Sequence, residues 1–496
     1  MDFGLGLTRM TRGTLCFALG LALAAQGVAR AQDQGRPVID PNSVACASGK
    51  PEEMVPACTR IIQGKGRTPI ERAIALRNRG FVYQQRGEWD RAIADYDAAL
   101  RLGLPAAQSE GVMARTYVNR GIAHAAKGDD NHAIADFGAA IAADPAVASA
   151  YLNRATLAMR RGDNANALAD LDEAARLSPQ DGAVFAARGV LRSNAGDLEA
   201  AIADFSSAIS LDPKDATAWR NRGLTYQKAG DAKRAEADAA EALRLDPKVA
   251  GGHRARGVAL QALGRRDQAI AEFGRAIDLS PTDAELIKVR GDAYLAKGAR
   301  DLAIADFSHA IALNPTFRDA YNNRAAAYMQ QADWDRAIDD LGHAIAIDPH
   351  YVAGLLNRAQ ALKAKGQGAL ALADLDRVIA LDPRRGAAFR HRAALNQAKG
   401  KHAASIADYS RALDLDPRDA AAWRGRGIAE LNQGRSEAAI ADLSQAIALD
   451  PNDALAFHHR SIAYASKRDI RRASADDDAA IRLDPRLAKS LLAQRR

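Results

Sequence analysis

Prolines stand at 145, 179, 213, 247, 281, 315, 349, 383, 417, 451 and 485, each 34 residues after the last. A fixed period of this size leaves few choices of fold, because it marks a chain built by stacking one supersecondary unit many times. With proline set as position 32, units start at 114, 148, 182 and onward to 454, and an earlier unit starts at 73. That earlier start lies 41 residues before the next, an excess of seven. Seven residues are about two helical turns, so the extra segment around Gln108 to Met113 lengthens a helix without rotating its buried face. Twelve repeats result.

Each unit reads as two helices. In the unit from 182, Phe185, Gly189 and Arg192 share one face of the first helix by their three- and four-residue spacing. Gly196 stops that helix, since the left-handed position after a helix suits glycine best. Asp197 caps the second helix, which carries Ala201, Phe205 and Ala208 on one face and ends at Asp212-Pro213. Position 15 is Gly in ten units, with Ala332 and Arg468 in the other two. Positions 8, 20 and 27 are small almost throughout, which lets helix backbones approach closely while aromatic neighbours such as Phe137, Phe307 and Tyr409 fill the flanks. The composition agrees: 48% of residues are apolar but only 5% aromatic. Ile202, Ile209, Ile304 and Ile311, at positions 21 and 28, lie beside the small stripe and are placed to bury against the next unit. No unit hides this surface alone.

These residues resemble the tetratricopeptide-repeat family, whose pattern has a bulky residue at 4, small residues at 8, 20 and 27, an aromatic at 24 and proline at 32. The match covers residues 73–487. The resemblance implies an all-α fold, an α-solenoid in which antiparallel helix pairs wind into a right-handed superhelix with first helices lining a concave groove. Here that means twelve units and a degenerate N-terminal half-repeat. One position departs from the family: position 7, usually leucine, is Arg in every unit from Arg79 to Arg460. Position 23 is acidic in every unit, from Asp95 to Asp476. The matched signs predict a ladder of Arg–carboxylate pairs between first and second helices; the rival reading is an arginine stripe that grips an anionic ligand.

The ends differ from the middle. The last unit carries Ser461, Arg468, Ser474 and Asp477 at small or apolar positions, as a terminal repeat with an uncovered outer face should. At the other end Ser43 to Gln63 reads as a shrunken repeat, with Gly49 at its turn, Met54 at position 20 and Cys58 at position 24; Pro56 makes its second helix doubtful unless the helix starts there. In the unit from 216, Glu236 and Ala239 at packing positions mark the weakest repeat.

The first residues read as an address. Arg9 and Arg12 precede the apolar stretch Leu15 to Ala25, and Ala29-Arg30-Ala31 fits a cleavage site before Gln32. The apolar core is short for a membrane span, which needs about 20 residues. A periplasmic or secreted protein is expected, with tethering by an uncleaved signal as the alternative. In an oxidising compartment Cys46 and Cys58, twelve residues apart, are expected to form a disulfide. The organisation expected is a signal peptide over 1–31, a linker over 32–42, a capping repeat over 43–72, the array over 73–487 and a tail over 488–496. No further membrane span follows the signal.

Formal net charge is +7, falling to +5 when residues 1–31 with three Arg and one Asp are removed. The charges are interleaved without a basic run, and export discounts chromosomal DNA, so nucleic acid is not an expected partner. No Gly-rich phosphate loop, nucleophile elbow or His-Glu-x-x-His pattern occurs. The ten histidines are scattered; His458 and His459 point different ways, and His309 and His343 share position 26 where they are placed to stack. Hence no enzyme activity, cofactor or metal site is expected.

The groove is where function is expected. Its candidate residues are Arg77, Asn78, Arg115, Asn119, Asn153, Arg220, Asn221, Arg254, Asn323, Asn357, Arg390 and Arg424, with few acids among them. Arginine and asparagine donate to the carbonyls and carboxylates of an extended peptide. The carboxylate-clamp pattern of chaperone-binding relatives wants Lys at 5 and Asn at 9; Arg77 and Phe81 stand there, so that specificity is not carried over. A non-catalytic scaffold or adaptor of the cell envelope follows, holding a protein or extended peptide. The second reading is an accessory protein of envelope assembly that binds an anionic glycan or polysaccharide. The sequence is silent on oligomeric state.

Overall fold

The computed structural model describes residues 40–104 and 106–487; the expected signal segment, linker residues 32–39 and the tail lie outside the described residues. The described chain forms twenty-six α-helices and no strand. It divides into two compact units, one ending at Arg265 and the other beginning at Arg266. In each unit consecutive helices pack as antiparallel neighbours, so each is an α-solenoid of helix pairs.

The punctuation works as backbone chemistry dictates. Gly196 ends its helix with φ 88°, and Asp197 accepts from the Ala200 N–H to cap the next one. Asp212 then leaves helical geometry at φ −134°, as a residue before proline must. Ala332 and Arg468 take the glycine conformation at φ 57° and 64°. A Cβ there costs about 1–2 kcal/mol.

The small stripe is a steric requirement. A Cβ on Gly121 would come within 2.7 Å of the Phe137 ring, and one on Gly291 within 2.7 Å of Phe307. The aromatics at position 24 lie against the missing side chain at position 8 in these repeats, and Tyr96, Phe137, Phe205 and Phe307 are buried in this way. Ile209 packs on Ala218 and Trp219 of the following repeat, which is the shared apolar flank that joins neighbouring repeats.

The arginine ladder lies within repeats. Arg188 Nε and Nη2 donate to Asp204 Oδ2 and Oδ1 at 3.0 and 2.7 Å, tying first helix to second. The same two-bond pair, at 2.6–2.9 Å, recurs in ten further repeats from Arg79–Asp95 to Arg460–Asp476. Arg256 donates to Glu236, one of the two residues that mark the repeat from 216 as weak, at 2.9 Å.

A third arm, which the sequence pattern does not show, reaches backward. Arg188 Nη1 donates to Asp172, Arg222 to Ser206, Arg324 to Ser308 and Arg392 to Asp376 at 2.7–3.0 Å. Each acceptor is position 25 of the preceding repeat. One guanidinium thus joins three helices: its own, its partner and the previous second helix. The half-repeat takes part too, since Arg79 Nη1 donates to Thr59 at 2.9 Å.

A second, exposed set of pairs runs along the hairpin ends. Asp90 meets Lys127, Asp335 meets Lys365, and Glu437 meets Lys467 of the next repeat. Each sets an acid at a helix N-terminus against a lysine at a C-terminus, the favourable sense for both helix dipoles. Exposed pairs contribute about 0–1 kcal/mol each.

Both ends need corrections. Residues 41–48 and 51–63 form two cap helices, α1 (Pro41–Ser48) and α2 (Pro51–Gln63), with Pro56 inside α2. Gly49 turns between them at φ −70°, without a left-handed residue. Cys46 and Cys58 are joined by a disulfide with Cα atoms 4.8 Å apart. In the last repeat Arg468 and Ser474 are exposed, but Ser461 and Asp477 are buried. Their outward placement fails because positions 8 and 24 face the partner helix inside the repeat.

Asp340 is 2% exposed, so removing its partner strands a buried charge. Arg324→Met is expected to destabilise the protein by about 3–5 kcal/mol, read as a lower midpoint in chemical denaturation. Arg324→Met with Asp340→Leu should recover most of that loss. An unchanged midpoint in the single variant would leave the ladder without structural weight.

Candidate binding groove

First helices of consecutive repeats touch one another in each unit, whereas no second helix pairs as closely with the next second helix. A stack whose first helices sit closer together bends toward them, so in each unit the first-helix face is the concave one. Positions 2, 5, 6 and 9 face it. The candidate residues lie there at positions 2, 5 and 6 of their repeats, half-buried apart from exposed Arg115. Arg77, Asn78, Arg115, Asn119, Asn153, Arg220, Asn221 and Arg254 belong to the unit ending at Arg265; Asn323, Asn357, Arg390 and Arg424 belong to the other.

The two faces differ in charge pairing. In the first unit, among the described residues, Arg77 donates only to the Asn78 side chain, at 3.2 and 3.4 Å, and Asn78 in turn donates to the Cys46 carbonyl at 3.1 Å. Burial, reinforced by the charge of Arg115, pushes the Arg77 guanidinium down to about 10. Arg220 touches Asn221 at 3.5 Å, and burial lowers its guanidinium too. Among the described residues no carboxylate forms a salt bridge with Arg77, Arg115, Arg220 or Arg254. Asn153 is committed to the Ser149 carbonyl of its own helix at 2.8 Å.

In the second unit the two candidate arginines are matched. Arg390 faces Asp419 at 3.4 Å and Arg424 donates to Asp453 at 2.6 Å, each acid being the N-cap of the next first helix. A chain of amides crosses three first helices: Asn357 donates to Asn322 at 2.9 Å, Asn322 to Asn323 at 3.1 Å, and Asn323 to Asp292 at 2.7 Å. Lys288 lies 3.2 Å from Asp292. Burial nevertheless raises the Asp292 carboxyl above its ordinary range, opposed mainly by Lys288. Beside this chain Ala326, Met329, Gln330, Trp334 and Asn357 line a shallow recess. The sequence pattern singled out neither this amide chain nor the recess, since both join residues about one repeat apart through side-chain direction.

The histidines are distributed otherwise than their spacing implied. His343 stacks on Tyr321, centroids 5.3 Å apart, and not on His309. His124 and His132 stack at 5.2 Å beside Asp129. Comparing positions 11, 16 and 19 across repeats would have found that trio.

In each unit a stack of helical hairpins held by small-residue stripes defines the class: a helical-repeat protein. Models described as tetratricopeptide repeat match residues 71–146, 118–182, 216–249, 255–283, 319–351 and 395–454, and one described as TPR repeat matches 194–230 and 291–332. The chain belongs to the tetratricopeptide-repeat family, whose fold serves as a protein-interaction scaffold. No curated protein matches it significantly. Similar solved structures include the Cut9-Hcn1 hetero-tetramer of the APC/C, 16% identical over 85% of this chain and 96% of that one, TM-score 0.44. Yeast Tom70 is 17% identical over 86% and 100%, TM-score 0.41. YrrB, described as a TPR protein with an unusual peptide-binding site, is 25% identical over 37% and 95%, TM-score 0.32.

On the last first helix, burial drives His459 down to about 4, with His458 and Arg424 acting in the same sense. Folded His459 therefore stays neutral while the unfolded chain takes up a proton below about pH 6.5. Stability is full above that pH and declines as pH falls toward 4. In thermal melts at stepped pH, His459→Gln should flatten the loss between about pH 6.5 and 5; an identical slope would remove His459 from the account.

Proposed function

We propose that this protein is an exported, non-catalytic scaffold of the bacterial cell envelope, and that its first unit holds an extended acidic segment of a partner protein. The observation that carries the reading is the set of groove arginines, Arg77, Arg115, Arg220 and Arg254, that face no carboxylate within salt-bridge distance among the described residues. In the second unit Arg390 and Arg424 pair with acids of the same unit. A half-buried guanidinium with no carboxylate in salt-bridge distance, as at Arg77, is costly, and an incoming carboxylate makes charge-assisted, two-bond contacts with it. Arg77 and Arg115 lie on neighbouring repeats, as do Arg220 and Arg254, so an extended chain meets them as two pairs.

Export is supported by Arg9, Arg12, the apolar stretch Leu15 to Ala25 and the small residues before Gln32. The Cys46–Cys58 disulfide agrees with an oxidising compartment. On this reading the signal occupies 1–31, the cap 43–72 and the repeat array 73–487.

Fluorescence anisotropy with labelled peptides tests the groove. Acidic extended peptides should bind, and Arg77→Gln or Arg220→Gln should each weaken binding about tenfold, the scale of one charge-assisted bond. Arg424→Gln, already paired to Asp453, should change it little. Binding of an acidic polysaccharide that collapses in salt, with no peptide bound, would assign the groove to a glycan. Sequencing the N-terminus of the chain recovered from the envelope fraction should give Gln32; an intact Met1 on a cytoplasmic chain would refute export.

A further inference from the structure

At positions 11, 16 and 19 several repeats build the same clip across the hairpin turn. Tyr83, Glu88 and Arg91 form one: Arg91 lies 4.5 Å from the Tyr83 ring and 2.6 Å from Glu88. Tyr226, Asp231 and Arg234 repeat it at 4.5 and 2.6 Å, and Arg336 sits over Tyr328 at 4.4 Å while pairing with Asp333. In the repeat from 114 the aromatic and the arginine are both replaced by histidine, giving His124, Asp129 and His132. The clip keeps its shape and changes its chemistry. We propose that these three side chains form a binding site for a divalent transition metal of the zinc class.

The hairpin sets the three ligands in place before any ion arrives. His124 lies in the last turn of α5 (Ala106–Ala126), half-buried in the seam with α6 (Asp130–Ala143), and its carbonyl accepts from the Asp129 N–H at 2.9 Å. Asp129 caps α6, its Oδ1 accepting from the His132 N–H at 3.2 Å. Its second oxygen is thereby turned toward both rings, 2.7 Å from His132 Nδ1 and 3.8 Å from His124 Nδ1. One ligand atom from each residue falls within 4.8 Å of the others. Tetrahedral bonds of about 2.0–2.2 Å put ligand atoms about 3.4 Å apart. Exposed His132 closes that gap by side-chain rotation, and its open side leaves room for water to complete the shell.

The donor set selects the ion. Two imidazoles and one carboxylate suit zinc, cobalt, nickel or copper, whereas magnesium and calcium prefer oxygen throughout. Two histidines alone close no site; the carboxylate between them supplies the third bond and the negative charge. An ion here clamps the turn of the first 34-residue repeat, directly after the lengthened helix that breaks the period.

The test is zinc binding by calorimetry to the chelator-stripped, untagged chain, with cobalt absorption as a second readout. Wild type should bind one more zinc per chain than His124→Tyr/His132→Arg, which rebuilds the clip of the neighbouring repeats and so keeps the fold. Asp129→Asn, which retains the helix cap, should weaken the same ion tenfold or more. The melting temperature of wild type should climb with zinc concentration while that of the double variant does not. Equal stoichiometry in wild type and double variant, or no ion bound by wild type at submillimolar free zinc, overturns the proposal.

Discussion

A guanidinium presents donors on three nitrogens in one plane, and at position 7 of most repeats each has an acceptor waiting. Nε and Nη2 take both oxygens of the acid at position 23, and Nη1 reaches position 25 of the repeat before, as Arg188 does with Asp204 and Asp172. The small residues at 8, 20 and 27 bring the helices close enough for this geometry, and the aromatic at 24 seals the space left over. The rest of the architecture depends on that joint. A leucine there would supply apolar area without direction; arginine supplies register between neighbours as well.

Where the third acceptor is missing, the reason is visible. Position 25 is Gly138 before Arg154, and a Cβ built on it would lie 3.9 Å from the Arg154 Nη1. Such repeats keep the internal pair and lose the backward arm. The joint between neighbours is therefore graded along the chain, even though the period is constant.

Much of this was written in the sequence because repetition turns one chain into twelve aligned observations. The 34-residue proline series, the glycine at 15 and the matched Arg and Asp at 7 and 23 are invariant enough to read directly. The backward arm was hidden because its acceptors, Asp172, Ser206 and Thr59, differ in type and share only geometry. Asp477 and Ser461 misled because a polar residue at an end suggests an outer face, while their positions point inward. In the groove, sequence placed the arginines on the right face but not their pairing: Arg424 meets a carboxylate 29 residues away and Arg77 meets none among the described residues.

Function follows from the same economy of repeats. The ladder occupies the seam between helix layers, leaving the first-helix face free to vary without disturbing the joint. One unit fills that face with self-paired charges and an amide chain, and the other with arginines that form no salt bridge among the described residues. The most direct measurement of the central claim is the coupling energy between Arg188 and Asp172, from a double-mutant cycle that uses Asp172→Asn and Arg188→Met. Because the arm joins two repeats, the two changes should be non-additive by about 0.5–3 kcal/mol. Strictly additive effects would mean that neighbouring repeats are held by apolar contact alone, and the account of the joint would fall.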